Sequence, residues 1–320
     1  MGTITVGVDL GGTKIQAAAV RDQAIVGAFR LATPQSGERD VAAAIVAASD
    51  AALAEAEAHR SEVRGVGIGA PGTIDTQAGT VSSSPNLPGF QSAEPIPLGS
   101  MVSEGLVGAP VMIDNDVRVA ILGEWKRGAG RGFRNLLGVW VGTGVGGGLI
   151  LNDEPYRGQG AAAEIGHIIV KPGGRVCSDG RKGHLEAYAG RGRMEVYARE
   201  LYEGGRKTNL FKIMEKKGRT RMSSGVIAEA LEEHDKLAEE LIDGAVGALA
   251  TGLASVQNLL ALEAIVIGGG LGDRLGEPFR RRIEKEMAPL MFVPDRPPSM
   301  LMSAFGDLSG AVGAAVLAGG

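Results

Sequence analysis

Hydrophobic residues along the chain fall into short apolar runs that are separated by polar, glycine-rich turns. The first example, "TITVGVDLGGTKIQAAAV", places a glycine turn between two apolar runs and predicts a β-hairpin near the start of the chain. A second example, "NLLGVWVGTGVGGGLILND", repeats this order near the middle of the chain. A repeat this long is not a solenoid unit, so the pattern indicates two related lobes that each open with a hairpin.

The other segments alternate between strand patterns and helix patterns. Apolar residues at three- and four-residue steps predict helices over 38–60, 186–203, 223–260 and the small-residue segment "LSGAVGAAVLAGG". Buried strands ending in glycine turns are predicted in "VRGVGIGAPGTID" and "LEAIVIGGGLGDRL". The segment "APVMIDNDVRVAILGEWKRG" predicts a strand that runs into a helix capped by Asp114 or Asn115. This alternation predicts an α/β fold.

Composition and charge narrow the class of protein. The 320 residues, of which 44% are hydrophobic and 22% charged, suffice for two cores, and a single cysteine excludes an internal disulfide framework. The net charge of −4 gives no general reason to expect nucleic acid or membrane as a partner, and no apolar run reaches the roughly 18 residues of a membrane helix. The first residues also lack the features of a secretory signal. We therefore expect a cytoplasmic protein with no nucleic-acid and no membrane partner.

Three glycine-rich turns, at 9–14, 142–147 and 267–270, carry the first chemical signal. "GTGVGG" formally matches a dinucleotide fingerprint, but that motif must open a helix, and an apolar strand-like run follows here. Glycine turns nevertheless let backbone N–H groups approach a phosphate, and Lys14 and Thr143 add an ammonium and a hydroxyl. Asp9 beside such a turn would repel phosphate unless a cation lies between them, which makes it a candidate for holding Mg²⁺. Each turn taken alone could be a tight hairpin and nothing more.

Seven motifs in order resemble the ROK family of sugar kinases and repressors: "DLGGTK", "NLPG", "DNDV" with "LGEW", "GTGVGGG", "AAEIGHI", "GHLEAYA" and "IVIGGGL". The resemblance covers essentially the whole chain. It implies the actin-like ATPase (ribonuclease H-like) fold, in which two α/β lobes close over sugar and nucleotide in a central cleft. A smaller lobe is expected over 1–116, with a C-terminal helix at about 305–320 packing back on it, and a larger lobe over 117–304.

The resemblance also implies a nucleotide site. The two glycine hairpins are expected to face each other across the phosphates of ATP, and the turn at 267–270 to lie near the adenosine. The residues expected to bind the nucleotide and its Mg²⁺ are Asp9, Gly11, Gly12, Thr13, Lys14, Gly142, Thr143, Gly144, Gly268, Gly269 and Gly270.

The reacting centre is expected at the strand-to-helix junction "IDNDV". A carboxylate near a helix N-terminus is favoured in its ionised form, so Asp116 could accept a proton from a sugar hydroxyl, although Asp is also a common N-cap. The resemblance assigns Asp116 the role of base and directs a set of polar residues at the sugar. These are Asn86, Asn115, Asp116, Glu164, His167 and Glu186.

Arg118 departs from the family pattern, which commonly reads "NDANAAALGE" where this chain has "NDVRVAILGE". Arg118 could point to solvent, reach a phosphate or narrow the sugar pocket, and solvent is the expected outcome. Together with further basic residues it leaves polyphosphate open as an alternative phosphate donor, although such a charge run is usually a solvated face. Those residues are Lys126, Arg127, Arg131 and Arg134.

The segment "EIGHIIVKPGGRVCSDGRKGHLE" matches the place where the family commonly carries a zinc site of one His and three Cys. The spacing and Gly180 are kept, but two of the three thiolates are replaced, which leaves a candidate structural zinc site of His167, Cys177, Asp179 and His184. Zinc accepts Cys, His and Asp ligands, whereas Asp is a harder and weaker ligand than thiolate. A loop held by hydrogen bonds is the alternative.

The expected function is ATP-dependent phosphorylation of a hexose, with glucose to glucose 6-phosphate as the first choice. N-acetylmannosamine, N-acetylglucosamine, fructose and mannose are alternative substrates. The family's repressors carry a DNA-binding segment ahead of the kinase-like body, and here "DLGGTK" begins at residue 9, so we do not expect a repressor. A sugar-binding regulator without catalysis is the alternative from another class. Similar proteins are usually homodimers or homotetramers.

Overall fold

Contacts within the computed structural model divide the chain into two units. The model describes residues 3–84, 87 and 89–319. The first unit contains the residues up to Arg131 together with those from Asp307 onward, and the second unit contains Gly132–Gly306. The first boundary therefore falls after the helix that begins at Asp116, whereas the sequence predicted it directly after Asp116. The reason is that this helix packs against the C-terminal helix of the same unit.

The strands form one five-stranded sheet in each unit, and a small two-stranded sheet belongs to the first unit. In chain order the strands of the first unit are β1 Ile4–Leu10, β2 Lys14–Arg21, β3 Ala24–Ala32, β4 Val63–Ala70, β5 Thr73–Asp75, β6 Thr80–Ser82 and β7 Val111–Asn115. Those of the second unit are β8 Leu136–Val141, β9 Val145–Leu151, β10 Glu154–Tyr156, β11 Ala264–Gly268 and β12 Ser299–Met302.

Both large sheets have the same strand order. The first is β3-β2-β1-β4-β7 and the second is β10-β9-β8-β11-β12. In each sheet three antiparallel strands are followed by two parallel strands. The two hairpins are β1 with β2 and β8 with β9, with Leu10 opposite Ile15 and Val141 opposite Val145. Both predicted hairpins and the repeat that relates them are confirmed.

Helices cover these sheets and supply much of both cores. Those of the first unit are α1 Glu38–Glu55, α2 Leu98–Gly105, α3 Asp116–Arg127 and α10 Ser309–Gly319. Those of the second unit are α4 Glu186–Ala189, α5 Arg191–Glu203, α6 Leu210–Lys216, α7 Ser224–Glu232, α8 Lys236–Leu260 and α9 Gly269–Met287. None of the helices in the described part of the chain combines the length and the apolar character needed to span a bilayer.

Helix ends differ from the predicted segments where the backbone leaves helical geometry. The predicted helix over 38–60 ends at Glu55, because Glu57 adopts a positive φ of 49°. The predicted segment 223–260 divides into α7 and α8, because His234 has a φ of 56° and Asp235 then caps α8 through two backbone N–H groups. The segment 186–203 likewise divides at Gly190 into α4 and α5.

The C-terminal helix α10 lies directly on the first sheet because glycines leave room for its backbone. A Cβ on Gly7 would lie 1.8 Å from the carbonyl oxygen of Ala311, and one on Gly67 would lie 1.8 Å from that of Ala314. On its other side α10 contacts α3, where a Cβ on Gly313 would lie 1.6 Å from the carbonyl oxygen of Val119. These contacts hold α3 and the end of the chain to β1 and β4.

Replacing Gly313 with Ala tests this packing. We expect Gly313→Ala to lower the free energy of unfolding of the first unit by about 1–3 kcal/mol or more, because the helices must move apart. Gly225→Ala in α7 is the matched control, since its Cβ would meet only Ser223 Oγ, at 3.8 Å, and alanine favours a helix. Chemical denaturation measures both, and an unchanged midpoint for Gly313→Ala would refute the packing argument.

Candidate active site and metal centre

The first glycine turn connects β1 to β2, and its carbonyl groups are held by the segment after β3. The Thr33 hydroxyl donates to the Gly11 carbonyl at 2.6 Å, and the Thr33 N–H donates to the Thr13 carbonyl at 3.2 Å. Within the described residues, the N–H groups of Gly12 and Thr13 donate to no protein acceptor. The turn therefore offers backbone donors of the kind that bind an anion.

Lys14 begins β2 directly after this turn. Its Nζ lies 3.3 Å from Oδ1 of Asp307, and Asp307 also lies 3.4 Å from Arg30 Nη1. Asp307 is 62% exposed, so these pairs are held weakly and Lys14 can exchange its partner for a ligand. The ammonium thus lies beside the turn without being buried in a permanent ion pair.

Asp9 lies near the end of β1 and packs against the start of α10, where a Cβ on Gly310 would lie 2.6 Å from its carboxyl carbon. Burial is the largest cause that raises the pKa of Asp9 to about 7, and the nearby Asp116 carboxylate raises it further. The Lys14 ammonium lowers the pKa of Asp9, and the Asp307 carboxylate raises it. The Asp9 carboxyl therefore ionises near neutral pH, and a cation such as Mg²⁺ would favour its ionised form.

Asn115, one of the two predicted cap residues, is the N-cap of α3. Its side chain accepts hydrogen bonds from the backbone N–H groups of Val117 at 3.1 Å and Arg118 at 3.2 Å. Asp116 is the first residue of the helix, so it is not the cap, and its Oδ1 accepts from Val117 N–H at 2.9 Å. The half-buried Asp116 carboxylate lies at a helix N-terminus, which favours its negative charge.

The expectation that Arg118 points to solvent is wrong. Its side chain is only 16% exposed, and Nη2 lies 2.9 Å from Oδ1 of the buried Asp114. A buried carboxylate needs a partner, and Arg118 in the first turn of α3 lies close to Asp114 at the end of β7. The basic run downstream is also partly neutralised, since Arg134 pairs with Asp153 at 2.7 Å.

The second glycine turn connects β8 to β9, and its carbonyl groups are held by the start of α5. Gly142 N–H donates to the Gly144 carbonyl at 2.9 Å, which closes the turn. Arg191 N–H donates to the Gly142 carbonyl at 3.0 Å, and Gly192 N–H donates to the Thr143 carbonyl at 2.9 Å. These two bonds also satisfy N–H groups that a helix N-terminus leaves without an intrahelical acceptor. The first and second turns are therefore anchored by the same kind of interaction.

The third turn joins β11 to α9. Gly269 has a φ of 83°, and a Cβ there would lie 2.8 Å from the backbone nitrogen of Val141 at the end of β8. Only glycine fits this backbone conformation and this approach. Gly268 is the N-cap and Gly270 lies in the first turn of α9, so the helix N-terminus comes close to the end of the second hairpin.

Glu186 joins the second turn to the loop that carries the candidate metal ligands. Its Oε2 accepts from Val145 N–H at 2.9 Å, while Oε1 accepts from the Ser178 hydroxyl and from the Cys177 thiol at 3.6 Å. The predicted sugar ligand Glu164 is exposed and directly precedes the short 3-10 turn Ile165–His167. The remaining predicted sugar ligand, Asn86, lies outside the described residues.

The four predicted metal ligands meet in one place, with one donor atom from each residue within 4.8 Å of every other. Nδ1 of His167 and Nδ1 of His184 are 3.4 Å apart, and each lies 3.4 Å from Oδ2 of Asp179. Ligands around a tetrahedral zinc ion are about 3.3–3.8 Å apart. The spacing of the nitrogen and oxygen donors therefore fits such an ion.

The loop around these ligands is folded by its own backbone. Cys177 N–H donates to the Arg181 carbonyl at 2.7 Å, and Gly180 supplies the positive φ of 82° that the turn requires. Burial raises the pKa of the Cys177 thiol. Burial also opposes ionisation of Asp179, but hydrogen bonds from Arg181 hold the pKa of Asp179 below its usual value. A metal would overcome the first effect, because thiolate coordination deprotonates the thiol.

Three polar residues near these sites were missed from the sequence: Ser178, Arg191 and Asp307. Ser178 and Asp307 lie in polar stretches where many side chains are solvated, so no local signal separates them. Arg191 fell inside the predicted helix over 186–203, so its place at the start of α5 was not recognised.

The protein consists of two α/β units whose sheets have the same strand order, and each sheet carries a glycine turn of the kind that binds phosphate. The first unit has a carboxylate at the start of α3, and the second unit has a loop with candidate metal ligands. The sequence profile of the ROK family matches residues 5–320, and the chain belongs to this family. Its fold is the actin-like ATPase fold that was predicted, as the matching solved structures show.

Curated and solved relatives agree with this membership. The chain is 32% identical to a glucokinase of Streptomyces coelicolor over 98% of its length and 97% of the relative's. It is 34% identical to a glucokinase of Halalkalibacterium halodurans over 89% and 86%. The crystal structure of a ROK family glucokinase from Streptomyces griseus, in complex with glucose and AMPPNP, matches with a TM-score of 0.81 and 34% identity, over 98% of both chains.

The raised pKa of Asp9 predicts how stability depends on pH. The unfolded carboxyl ionises near 3.8 and the folded one near 7, so the folded state binds more protons between these values and stability falls as pH rises through them. We expect Asp9→Asn to raise the melting temperature by a few degrees at pH 8 and by less at pH 5. Asp50→Asn, at an exposed pair with Arg60, is the control. If the difference in melting temperature between wild type and Asp9→Asn is the same at pH 5 and pH 8, the raised pKa of Asp9 is refuted.

Proposed function

We propose that this protein is an ATP-dependent hexose kinase that converts glucose to glucose 6-phosphate. The observation that carries the proposal is the junction of β7 and α3. There Asp116 begins a helix beside the capping Asn115, in the same unit as Asp9, Lys14 and an anchored glycine turn. The glucokinases among the relatives support glucose as the first substrate.

Asp116 is the proposed base. It accepts the proton of the attacking sugar hydroxyl while the hydroxyl oxygen forms a bond to the γ-phosphorus of ATP and the bond from that phosphorus to the leaving ADP oxygen breaks. The oxygen of the Asn115 amide already accepts two helix N–H groups, so this residue offers its NH₂ group to a sugar oxygen. Phosphoryl transfer needs little more than positioning and charge stabilisation, and both residues are held by the helix start.

The glycine turns are the proposed phosphate ligands. In the first unit these are the N–H groups of the first turn together with Lys14. In the second unit they are the N–H groups of the second turn with the Thr143 hydroxyl, and the turn at Gly268–Gly270 would lie near the nucleoside. Asp9 would hold Mg²⁺ directly or through its water shell, and the ion would spread the charge on the transferred phosphate.

The proposed sugar ligands in the second unit are Glu164, His167 and Glu186. Carboxylates suit sugar recognition because each oxygen can accept a charge-assisted bond from a hydroxyl. Oε2 of Glu186 accepts one protein N–H and retains capacity for a second donor. A structural zinc ion at His167, Cys177, Asp179 and His184 would fix the loop that carries these residues.

A coupled assay of ADP release across a sugar panel tests the function. With Mg-ATP we expect glucose to give the highest kcat/KM among glucose, mannose, fructose, N-acetylglucosamine and N-acetylmannosamine. A higher value for another sugar would reassign the substrate within the kinase class. Sugar binding without ADP release from any member of the panel would overturn the kinase proposal and favour a regulator without catalysis.

Asp116→Asn tests the base. We expect at least about a hundredfold lower kcat, because the amide cannot accept the proton, while the sugar KM and the melting temperature change little. Asp50→Asn is the control for a surface Asp-to-Asn change in the same unit and should keep wild-type turnover. Turnover of Asp116→Asn within a few-fold of wild type would remove this residue from the chemistry.

Metal analysis tests the zinc site. Protein purified without added zinc should contain about one zinc ion per chain, and Cys177→Ala should lose most of it together with thermal stability. His234→Gln is the control, since this histidine is 87% exposed and lies outside the loop. A wild-type protein with only a small fraction of one zinc per chain would show that hydrogen bonds alone hold the loop.

A further inference from the structure

Arg191 makes a bridge between two hydroxyl groups beside the second glycine turn. Its Nη2 donates to Thr143 Oγ1 at 2.9 Å and its Nη1 donates to Ser224 Oγ at 2.9 Å. A Cβ on Gly270 would lie 4.0 Å from Nη1, which places the guanidinium at the start of α9 as well. Three features that are far apart in sequence thus meet at one cation.

This position is electrostatically unfavourable for a cation. Arg191 is the first residue of α5, Ser224 is the first residue of α7, and Gly270 lies in the first turn of α9. The helices α5 and α7 have 13 and 9 residues, and each presents the positive end of its dipole there. Burial and the neighbouring Arg221 lower the pKa of Arg191, and the Glu195 carboxylate offsets this only in part.

No carboxylate of the described residues forms a direct salt bridge with Arg191. Among the described residues no Asp or Glu oxygen lies within salt-bridge distance of its guanidinium. Glu195, one turn along α5, is buried and its oxygens are already used by Arg221 at 3.2 Å, the backbone of Met222 at 2.9 Å and Arg199 at 3.3 Å. A guanidinium has five N–H donors, of which the two hydroxyls take two, so further donors remain for a ligand.

We propose that Arg191 binds a phosphate group of the nucleotide and holds the Thr143 hydroxyl towards that phosphate. An anion here would be stabilised by the guanidinium and the Thr143 hydroxyl at once. The Thr143 side of the bridge is exposed, so a ligand can reach it. The inference rests on the proposed function, because it adds a residue to the nucleotide site of that reaction.

Calorimetric titration of the whole chain with Mg-AMPPNP and with adenosine tests this role. We expect Arg191→Gln to weaken AMPPNP binding by about tenfold or more and to leave adenosine binding within about twofold, since only the former has phosphates. The AMPPNP affinity of Arg191→Lys should lie between those of the wild type and Arg191→Gln, because an ammonium keeps the charge but cannot hold both hydroxyls. Arg206→Gln, at a surface pair with Glu240 in the same unit, should bind both ligands as the wild type does.

The outcomes separate the inference from the function on which it rests. A wild type that binds AMPPNP, with Arg191→Gln binding it equally well, overturns the role of Arg191 and leaves the kinase proposal in place. Equal losses for AMPPNP and adenosine also overturn it, since they indicate a structural role. A wild type that binds neither ligand refutes the kinase proposal and this inference together. If Arg191→Gln does not fold, wild-type AMPPNP affinity in Arg191→Lys overturns the inference.

Discussion

Neighbouring segments hold the carbonyl groups of both hairpin turns, and the proposed nucleotide chemistry depends on this anchoring. Thr33 binds the carbonyls of Gly11 and Thr13 in one unit, and the N-terminus of α5 binds those of Gly142 and Thr143 in the other. A peptide has one donor and one acceptor, so fixing the acceptors leaves the donors as the groups that meet a ligand. The glycines allow the turns, and the anchoring determines which polar groups they offer.

Two ionisable groups near these turns, Asp9 and Arg191, lie where their surroundings disfavour their charged forms. Burial and Asp116 oppose the ionisation of Asp9, and burial and Arg221 oppose the positive charge of Arg191. Neither position benefits the protein in the absence of ligands. Both become favourable when a cation meets the carboxylate and an anion meets the guanidinium, which is how a kinase site would bind Mg²⁺ and phosphate.

Local patterns explain what could be predicted from the sequence. Both hairpins and the strand-to-helix junction at Asn115 depend on neighbours within a few residues, and the structure confirms them. The motif spacing of the family predicted that the four candidate metal ligands lie close together, and the loop geometry agrees with this prediction. Arg118 could not be placed, because its direction depends on the burial of Asp114, which is set by the packing of β7 in the sheet. Arg191 depends on partners 48 and 33 residues away, which no local pattern contains.

In each unit, the N–H groups of the anchored hairpin turn are the proposed phosphate donors. Amide NMR spectra of the assigned protein, titrated with Mg-AMPPNP, test this proposal most directly. We expect large shifts for the N–H signals of Gly12, Thr13, Thr143 and Gly144, with adenosine alone leaving these four signals close to their free positions. Saturating Mg-AMPPNP that leaves the four signals unmoved while shifting others would contradict it.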